Sequence, residues 1–238
     1  MHWIHALAGL AMAALVPAAR TQKMPANPST VSASFSAHDS GADTNPDSPF
    51  WRGAAAISFN NDTYAQPTSN RESTVLSRWT HDNLYFLFIC PYQQLYLKPN
   101  PDTQAKTNGL WNWDVAEVFI GSNFQDINQY HEFEISPQGE WLDLAINLNH
   151  PKHTGDFSWN SGLLASSRID SAHKVWYGFL RIPYHALDSR PAAAGNTLRI
   201  NFFRCWGEEP HRTLLSWRPT MELNFHVPKA FGLLQLAP

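Results

Sequence analysis

The chain has 238 residues, of which 16% are charged, and a formal net charge of −3. A length of this order suits one domain of about 200 residues behind an N-terminal leader. Such a domain can bury a substantial core without disulfides or structural metals. The composition excludes nucleic acid as a partner, because phosphate binding needs clustered lysine and arginine and the sequence has no basic stripe. Ten tryptophans are the unusual feature; most such rings fill a core, and a few serve as exposed stacking surfaces.

Residues 1–19 resemble a secretory signal peptide. The apolar run from Ala6 to Val16 is too short to span a bilayer, and the small residues that follow suit cleavage. The first five residues contain no lysine or arginine, which departs from the usual pattern. Residues 20–30 are polar and predict a linker. We therefore expect a secreted or periplasmic protein, with its domain at 31–238 and no membrane contact after the leader is removed.

From residue 31 onward the sequence predicts short strands separated by polar turns. Residues 74–80 and 84–90 flank a three-residue turn and predict a hairpin. The other predicted strands are 31–35, 114–120, 130–135, 140–147, 163–169, 175–182, 197–206 and 233–236. The sequence has no heptad, repeat or long helical period. This pattern predicts an all-β fold, an antiparallel β-sandwich of roughly ten short strands.

The most informative strand is the one that begins at Asp114. Alternation places two sets of residues on opposite faces: Asp114, Ala116, Val118 and Ile120 on one, and Val115, Glu117 and Phe119 on the other. Glu117 shares its face with apolar neighbours, so its carboxylate needs a partner. Trp111 and Trp113 precede the strand in a loop that Asn108-Gly109 opens. This stretch predicts flat aromatic surface beside an oriented acid, which suits a sugar ring.

Two cysteines, Cys90 and Cys205, each fall late in a predicted strand. In an oxidising compartment they could form one disulfide. The alternative is a pair of buried thiols that never meet. Neither cysteine has a partner at C-x-x-C spacing, so the sequence does not support a zinc site.

Several separated motifs identify a family. They are Trp51, Asp82-Asn83-Leu84-Tyr85-Phe86, Trp111 with Asp114-Val115-Ala116-Glu117-Val118-Phe119-Ile120, Glu132-Phe133-Glu134-Ile135-Ser136-Pro137-Gln138-Gly139, and His226-Val227-Pro228 with Phe231-Gly232. In this order they resemble the family 9 carbohydrate-binding modules. The resemblance implies a β-sandwich that binds sugars and catalyses no reaction. Two aromatic rings would sandwich the terminal sugars of a glucan or xylan, so we expect cello- or xylo-type chain ends as ligands.

The resemblance also suggests site residues. Trp111 and Glu117 match the family's aromatic residue and acid by their place in the motif. We expect Trp113 nearby, and the second aromatic residue is Trp217 or Trp206. We expect Arg204 beside Glu117, where a guanidinium would keep the acid ionised. The alternative is that Glu117 and Arg204 form a buried structural pair and Trp111 fills the core.

Calcium often has a structural role in this family. Asp102, Asp143 and Asp156 lie in or near loops, but no calcium-loop motif is present. Isolated aspartates of this kind usually form turns. We therefore expect no cofactor, while a structural calcium ion and the residues that would bind it stay open.

Two other functions remain as alternatives. A glycoside hydrolase needs two carboxylates about 5–10 Å apart across a cleft. Asp114 with Glu117, or Glu132 with Glu134, could supply them, although alternation separates the first pair and the second could be a solvated edge. A haem-binding electron-transfer domain needs axial ligands such as Met221 and His226, although His226 could equally make a structural hydrogen bond.

Overall fold

The computed structural model describes residues 29–68, 72–150 and 155–238. The candidate signal peptide and residues 20–28 of the predicted linker lie outside the described residues. Twelve strands make up most of the described chain, and the all-β prediction is confirmed. They are β1 (Thr30–Phe35), β2 (Ala55–Phe59), β3 (Ser73–Trp79), β4 (Asn83–Pro91), β5 (Val115–Gly121), β6 (Gln129–Ile135), β7 (Trp141–Asn147), β8 (Leu164–Asp170), β9 (Val175–Pro183), β10 (Thr197–Trp206), β11 (Thr213–Ser216) and β12 (Gly232–Ala237).

Helical structure in the described ranges is limited to three 3-10 turns: Leu110–Asn112, Tyr184–Ala186 and Pro228–Ala230. The second follows directly after β9. No helix in these ranges has the length and apolar character that crossing a membrane requires.

The strands form one sheet that folds back on itself into two layers. The strand order is β7-β6-β5-β10-β12-β1-β3-β4-β9-β8, with β11 on β10 and β2 on β3. In the first layer are β5, β6, β7, β10 and β11, and in the second are β2, β3, β4, β8 and β9. Phe86 and Phe88 from β4 meet Phe202 from β10 edge to face, with ring centroids 5.4 and 6.0 Å apart. The main core therefore lies between the layers.

Two details differ from the predicted antiparallel sandwich. The link between the layers is β12-β1, and β1 pairs in parallel with both β12 and β3. A parallel pair joins strands that are distant in sequence, so local turn signals do not reveal it. The strands β2 and β11 have no counterpart among the predicted elements. They have only five and four residues and add to the edges of stronger hairpins.

The predicted alternation in β5 is confirmed. Ala116, Val118 and Ile120 are buried in the main core, whereas Val115 and Phe119 belong to a second apolar cluster on the opposite, outer face of the first layer. Loops cover that outer face in part. The first layer therefore has a sealed inner face and an outer face that is open to a ligand.

The disulfide considered from the sequence is absent, because Cys90 and Cys205 are both free, buried thiols. Cys90 belongs to the main core between the layers. Cys205 belongs to the cluster on the outer face of β10. The sheet itself separates the two side chains, so the alternative of two thiols that never meet is the one realised.

Candidate functional site

A cavity of about 770 Å³ opens on the outer face of the first layer. This volume lies within the range of small-molecule binding sites. Its floor is apolar and consists of Phe119, Leu144, Ile146, Leu214 and Phe225. Its rim carries three exposed apolar side chains, Trp111, Phe157 and Leu223. The cavity thus offers apolar contact surface both inside and at the mouth.

The Trp111 ring is exposed while its backbone is firmly held. Gly109 adopts a left-handed conformation (φ 76°) and starts the 3-10 turn, whose first residue, Leu110, is buried. Trp111 itself is 41% exposed. The guanidinium of Arg212 donates hydrogen bonds to the backbone carbonyls of Trp111, Asn112 (3.1 Å), Trp113 (3.0 Å) and Gly207 (3.0 Å). We refer to this arrangement as the Arg212 clamp; it fixes an indole at the cavity mouth.

Three glutamates, which we refer to as the acid cluster, lie behind the rim: Glu117 from β5 and Glu132 and Glu134 from β6. Their exposed fractions are only 2%, 3% and 0%. Glu117 and Glu134 are directly opposite each other in the sheet register, and one carboxylate oxygen of each glutamate lies within 4.8 Å of the others. Glu117 and Glu132 line the cavity. The cluster is therefore buried acidic charge that ligands can reach from the cavity.

Few hydrogen bonds compensate this charge. The thiol of Cys205 donates to Glu117 Oε1 at 3.3 Å. His226 Nε2 lies 3.7 Å from Glu132 Oε2, and Tyr130 Oη lies 2.6 Å from the other ring nitrogen of His226. Neither oxygen of Glu134 accepts a hydrogen bond from an N–H or hydroxyl group in the described chain.

Burial and mutual repulsion control protonation in the acid cluster. Burial, and then the neighbouring Glu132 carboxylate, raise the pKa of Glu117 to about 8. Burial, with the charges of Glu117 and Glu132, raises the pKa of Glu134 well above its usual range. Burial likewise raises the pKa of Cys205, and the Glu117 charge adds to this effect. Near neutral pH the cluster therefore retains protons and can donate as well as accept hydrogen bonds.

Arg204 does not lie beside Glu117, so neither the expected functional pairing nor the structural pair is present. In the register of β5 and β10, Arg204 is opposite Ala116 and Phe203 is opposite Glu117. Arg204 therefore points to the inner face, where it is fully buried. It donates to Ser73 Oγ (3.2 Å) and to the Pro91 carbonyl (2.8 Å). The guanidinium that influences the acid cluster is instead that of Arg212.

Among the predicted tryptophans, only Trp111 lines the cavity. Trp217 is fully buried in the main core against Phe202, and a Cβ at Gly232 would come within 2.5 Å of its ring. Trp206 is buried and donates to the Gln94 carbonyl at 3.1 Å. Trp113 is half-buried and lies against Tyr96, with centroids 4.6 Å apart. The second aromatic residue at the cavity rim is therefore not one of these tryptophans.

Phe157 is another exposed aromatic side chain at the rim, with an exposed fraction of 44%. The loop that carries it is tied to the sheet by Lys106. The Lys106 ammonium lies 2.6 Å from Asp143 Oδ1 and also donates to the carbonyls of Phe157 (3.4 Å) and Trp159. No local sequence signal indicates this part of the site, because Lys106 and Phe157 are far apart in the sequence and meet only in the folded chain. Asp143 is thereby occupied by a lysine and does not suit a calcium site.

The structure also bears on the two alternative functions, glycoside hydrolysis and haem binding. Asp114 does not suit a catalytic pair with Glu117, because its oxygens accept hydrogen bonds from the backbone N–H groups of Gly207 (2.7 Å) and Tyr96 (3.1 Å). Glu132 and Glu134 are buried and do not form a solvated edge. For axial haem ligation, His226 lines the cavity, but Met221 is 60% exposed and is not a lining residue.

Comparison with solved structures identifies the same architecture in carbohydrate-binding proteins. A protein from Bacteroides uniformis that has been proposed to bind carbohydrate superposes with a TM-score of 0.68, at 16% identity, over 87% of this chain and 98% of that one. A family 9 carbohydrate-binding module from Caldicellulosiruptor kristjanssonii, in complex with cellotriose, gives a TM-score of 0.57 at 16% identity, over 87% of this chain and 93% of that one. The same kind of module in complex with glucose also gives 0.57, at 15% identity, over 87% and 95%. The chain thus has the fold of family 9 carbohydrate-binding modules.

Comparison of sequences gives a match over a smaller part of the chain than comparison of structures. A curated protein of Arthroderma benhamiae named "Extracellular protein" is 26% identical over 142 residues, which cover 54% of this chain and 63% of that protein. The match therefore spans less than two thirds of the relative's length. No protein-family model matches the chain.

Proposed function

We propose that the described domain binds carbohydrate without catalysis, in the cavity on the outer face of the first layer. The observation that carries this proposal is the Trp111 indole, exposed at the mouth of that cavity and fixed by the Arg212 clamp beside the acid cluster. The shared fold with modules that hold cellotriose and glucose supports it. In our proposal the ligand's pyranose ring lies against Trp111.

The geometry supplies both parts of sugar recognition. An exposed indole gives apolar contact to the C–H face of a sugar, and removing such surface from water is worth about 25 cal/mol per Å². Carboxyl groups orient the ring through its hydroxyls, and a carboxyl that keeps its proton can donate as well as accept. Glu117 and Glu132 supply these groups at the cavity wall. Tightly held aromatic and polar groups keep the entropy cost of binding low.

The ligand class follows from the shape of the cavity. The floor is closed by apolar side chains of β5, β7 and β11, so the cavity suits the end of a sugar chain better than its middle. We propose cello- or xylo-type chain ends as ligands and an extracellular place of action. The name of the Arthroderma relative supports that location.

Calorimetric titration with cellobiose and xylobiose tests this proposal. We expect Trp111→Ala to weaken binding about tenfold or more, which corresponds to about 1.4 kcal/mol, with little change in melting temperature because the ring is exposed. Phe124→Ala is the matched control: Phe124 is a 46% exposed aromatic residue that does not line the cavity. Equal affinity of wild type and Trp111→Ala would contradict the proposed site, and release of shorter sugars during incubation would contradict binding without catalysis.

A further inference from the structure

The charged side chains of the cavity wall are unevenly divided between the two signs. Four glutamates line the cavity: Glu117, Glu132, Glu208 and Glu209. Among the described residues that line it, Arg212 is the only lysine or arginine. The N–H groups of both its terminal nitrogens donate to backbone carbonyls in the Arg212 clamp and are not available to a carboxylate. The cavity therefore favours a ligand that carries positive charge.

The four acids lie at two depths in the cavity. Glu208 and Glu209 are exposed and belong to the loop after β10, which the Arg212 clamp holds through the Gly207 carbonyl. Glu117 and Glu132 are buried in the wall. A cation that enters the cavity thus passes exposed carboxyl groups first and then meets buried ones. Exposed charges mainly speed the approach of such a ligand, whereas buried contacts hold it.

The buried part of the wall has more hydrogen-bond acceptors than donors. The Cys205 thiol donates to Glu117 at 3.3 Å, and His226 Nε2 lies 3.7 Å from Glu132. Glu134, directly behind them, accepts no hydrogen bond from an N–H or hydroxyl group in the described chain. An ammonium group has three N–H donors and no acceptor. Its hydrogen bonds to carboxylates are about twice as strong as those between neutral groups. An ammonium group therefore suits this wall better than a hydroxyl group.

The exposed Trp111 indole narrows the kind of cation. A flat ring face gives contact to the C–H groups of a pyranose, which a linear polyamine or a lysine side chain does not offer. The face of a tryptophan also attracts a ligand cation that lies close to it. Trp111 is 41% exposed and fixed at the mouth of the cavity. The combination of an aromatic face and an acidic wall thus matches a sugar ring that bears an amine.

We propose that the cavity prefers a protonated amino sugar, such as the chain end of a glucosamine oligosaccharide. The pyranose ring lies on Trp111, and its ammonium group donates to Glu117 and Glu132. Glu208 and Glu209 attract the ligand to the mouth of the cavity. Glu117 releases its own proton to solvent when the ammonium group binds. This inference rests on the proposed function and narrows its ligand class: cello-type chain ends bind, and their amino counterparts bind more tightly.

The experiment is calorimetric titration of the full chain with three disaccharides: cellobiose, the glucosamine dimer and the N-acetylglucosamine dimer. The titrations are made at about pH 6, where aliphatic amines are protonated. We expect the glucosamine dimer to bind about tenfold or more tightly than cellobiose. The N-acetylated dimer, which has the same backbone without the charge, should show no such gain. About 1 M NaCl should reduce the gain, because salt screens the exposed charges.

Glutamine variants show whether the cavity acids cause the preference. The double variant Glu208→Gln with Glu209→Gln, and separately Glu117→Gln, should each lower the ratio of the two affinities, glucosamine dimer over cellobiose, about threefold or more. Glu222→Gln is the control, since Glu222 is exposed and does not line the cavity. Two results would overturn the inference: cellobiose binding at least as tight as glucosamine-dimer binding, and a ratio that neither glutamine variant changes. If none of the three disaccharides binds, the proposed function fails as well.

Discussion

Two fully buried acids lie on opposite faces of the first layer, and their surroundings differ. Asp143 on β7 is opposite Phe133 and points to the inner face; Glu134 on β6 is opposite Leu142 and points to the outer face. Lys106 lies 2.6 Å from Asp143, and Ser161 donates to it through its N–H (2.8 Å) and hydroxyl (2.6 Å). Glu134 has no such partner in the described chain.

The difference separates an acid whose charge is paired within the protein from an acid that burial keeps protonated. Asp143 and Lys106 connect β7 to the loop that carries Phe157, so their charges serve the fold. Glu134 makes no ion pair in the described chain, and burial beside Glu117 and Glu132 raises its pKa, so it keeps a proton instead. This pair of acids therefore allows the effect of pairing on stability to be tested inside one sheet.

The largest effect is expected for Lys106→Met. This variant leaves Asp143 buried without its cation, which typically costs about 3–5 kcal/mol. Urea denaturation would measure the loss of unfolding free energy. The double variant Lys106→Met with Asp143→Asn should recover part of it, because asparagine keeps an acceptor for Ser161 and removes the charge. A loss below about 1 kcal/mol for the single variant would place the pair among weak surface ion pairs.

Glu134→Gln is expected to have a smaller effect in the opposite direction, an increase in the free energy of unfolding. Burial raises the pKa of Glu134 well above the ordinary value of 4.5. The folded state must then hold a proton that the unfolded chain has released, so wild-type stability falls as pH rises from 4.5 toward the raised pKa. At neutral pH we expect the variant to gain about 1 kcal/mol or more.

The matched substitution for that test is Asp143→Asn, which should instead lose about 1–3 kcal/mol because Lys106 is left without its counter-ion. Urea denaturation of both variants gives the comparison directly. If both lost stability equally, the two faces would not differ in the way proposed.

The smallest loss of stability is expected for a substitution at Asp39, which extends the comparison to an exposed acid. Burial alone would raise the pKa of Asp39, but hydrogen bonds from Thr80 (2.6 Å), Tyr85 (2.7 Å) and Asn83 (2.9 Å) outweigh it and hold the pKa below 3.8. Its contribution to stability is therefore present above pH 3.8 and is lost as pH falls through the lowered pKa.

For Asp39→Asn we expect a loss below about 1 kcal/mol at neutral pH, because the group is exposed to solvent. The fall in melting temperature on acidification should also be shallower in the variant. Asp82→Asn removes the same charge from the adjacent turn and serves as control. Identical acid profiles for wild type and Asp39→Asn would refute the role of these three hydrogen bonds.

Sequence reasoning predicted whatever depends on local pattern. Period-two alternation indicated the two faces of β5, including the buried position of Glu117, and the Asn108-Gly109 turn indicated an exposed Trp111. Arg204 was misplaced because a position on β10 can only be assigned to a face once the register with β5 is known. Trp217 was misplaced because a tryptophan in a core and one in a site have the same sequence signal.

Other features had no sequence signal at all. The Arg212 clamp acts through backbone carbonyls, which every residue has, so no residue type reveals its partners. The sequence contains the three glutamates, but it does not show that they lie close together. That proximity depends on the register in which β5 and β6 pair. Residue types and local strand patterns can therefore be read from the sequence, whereas contacts between residues on different strands cannot.

The link between β1 and β12 has a consequence for how the chain folds. Thr30 pairs with Leu233, so the strands that join the two layers come from opposite ends of the described chain. Contacts between residues so far apart in sequence form late, since a long loop must close before they contribute, and folds rich in them fold slowly. During synthesis the two layers can each begin to form, but they become one sheet only after residues 232–237 have emerged. A chain stopped before that point would expose the edges of β10 and β1, which are templates for aggregation.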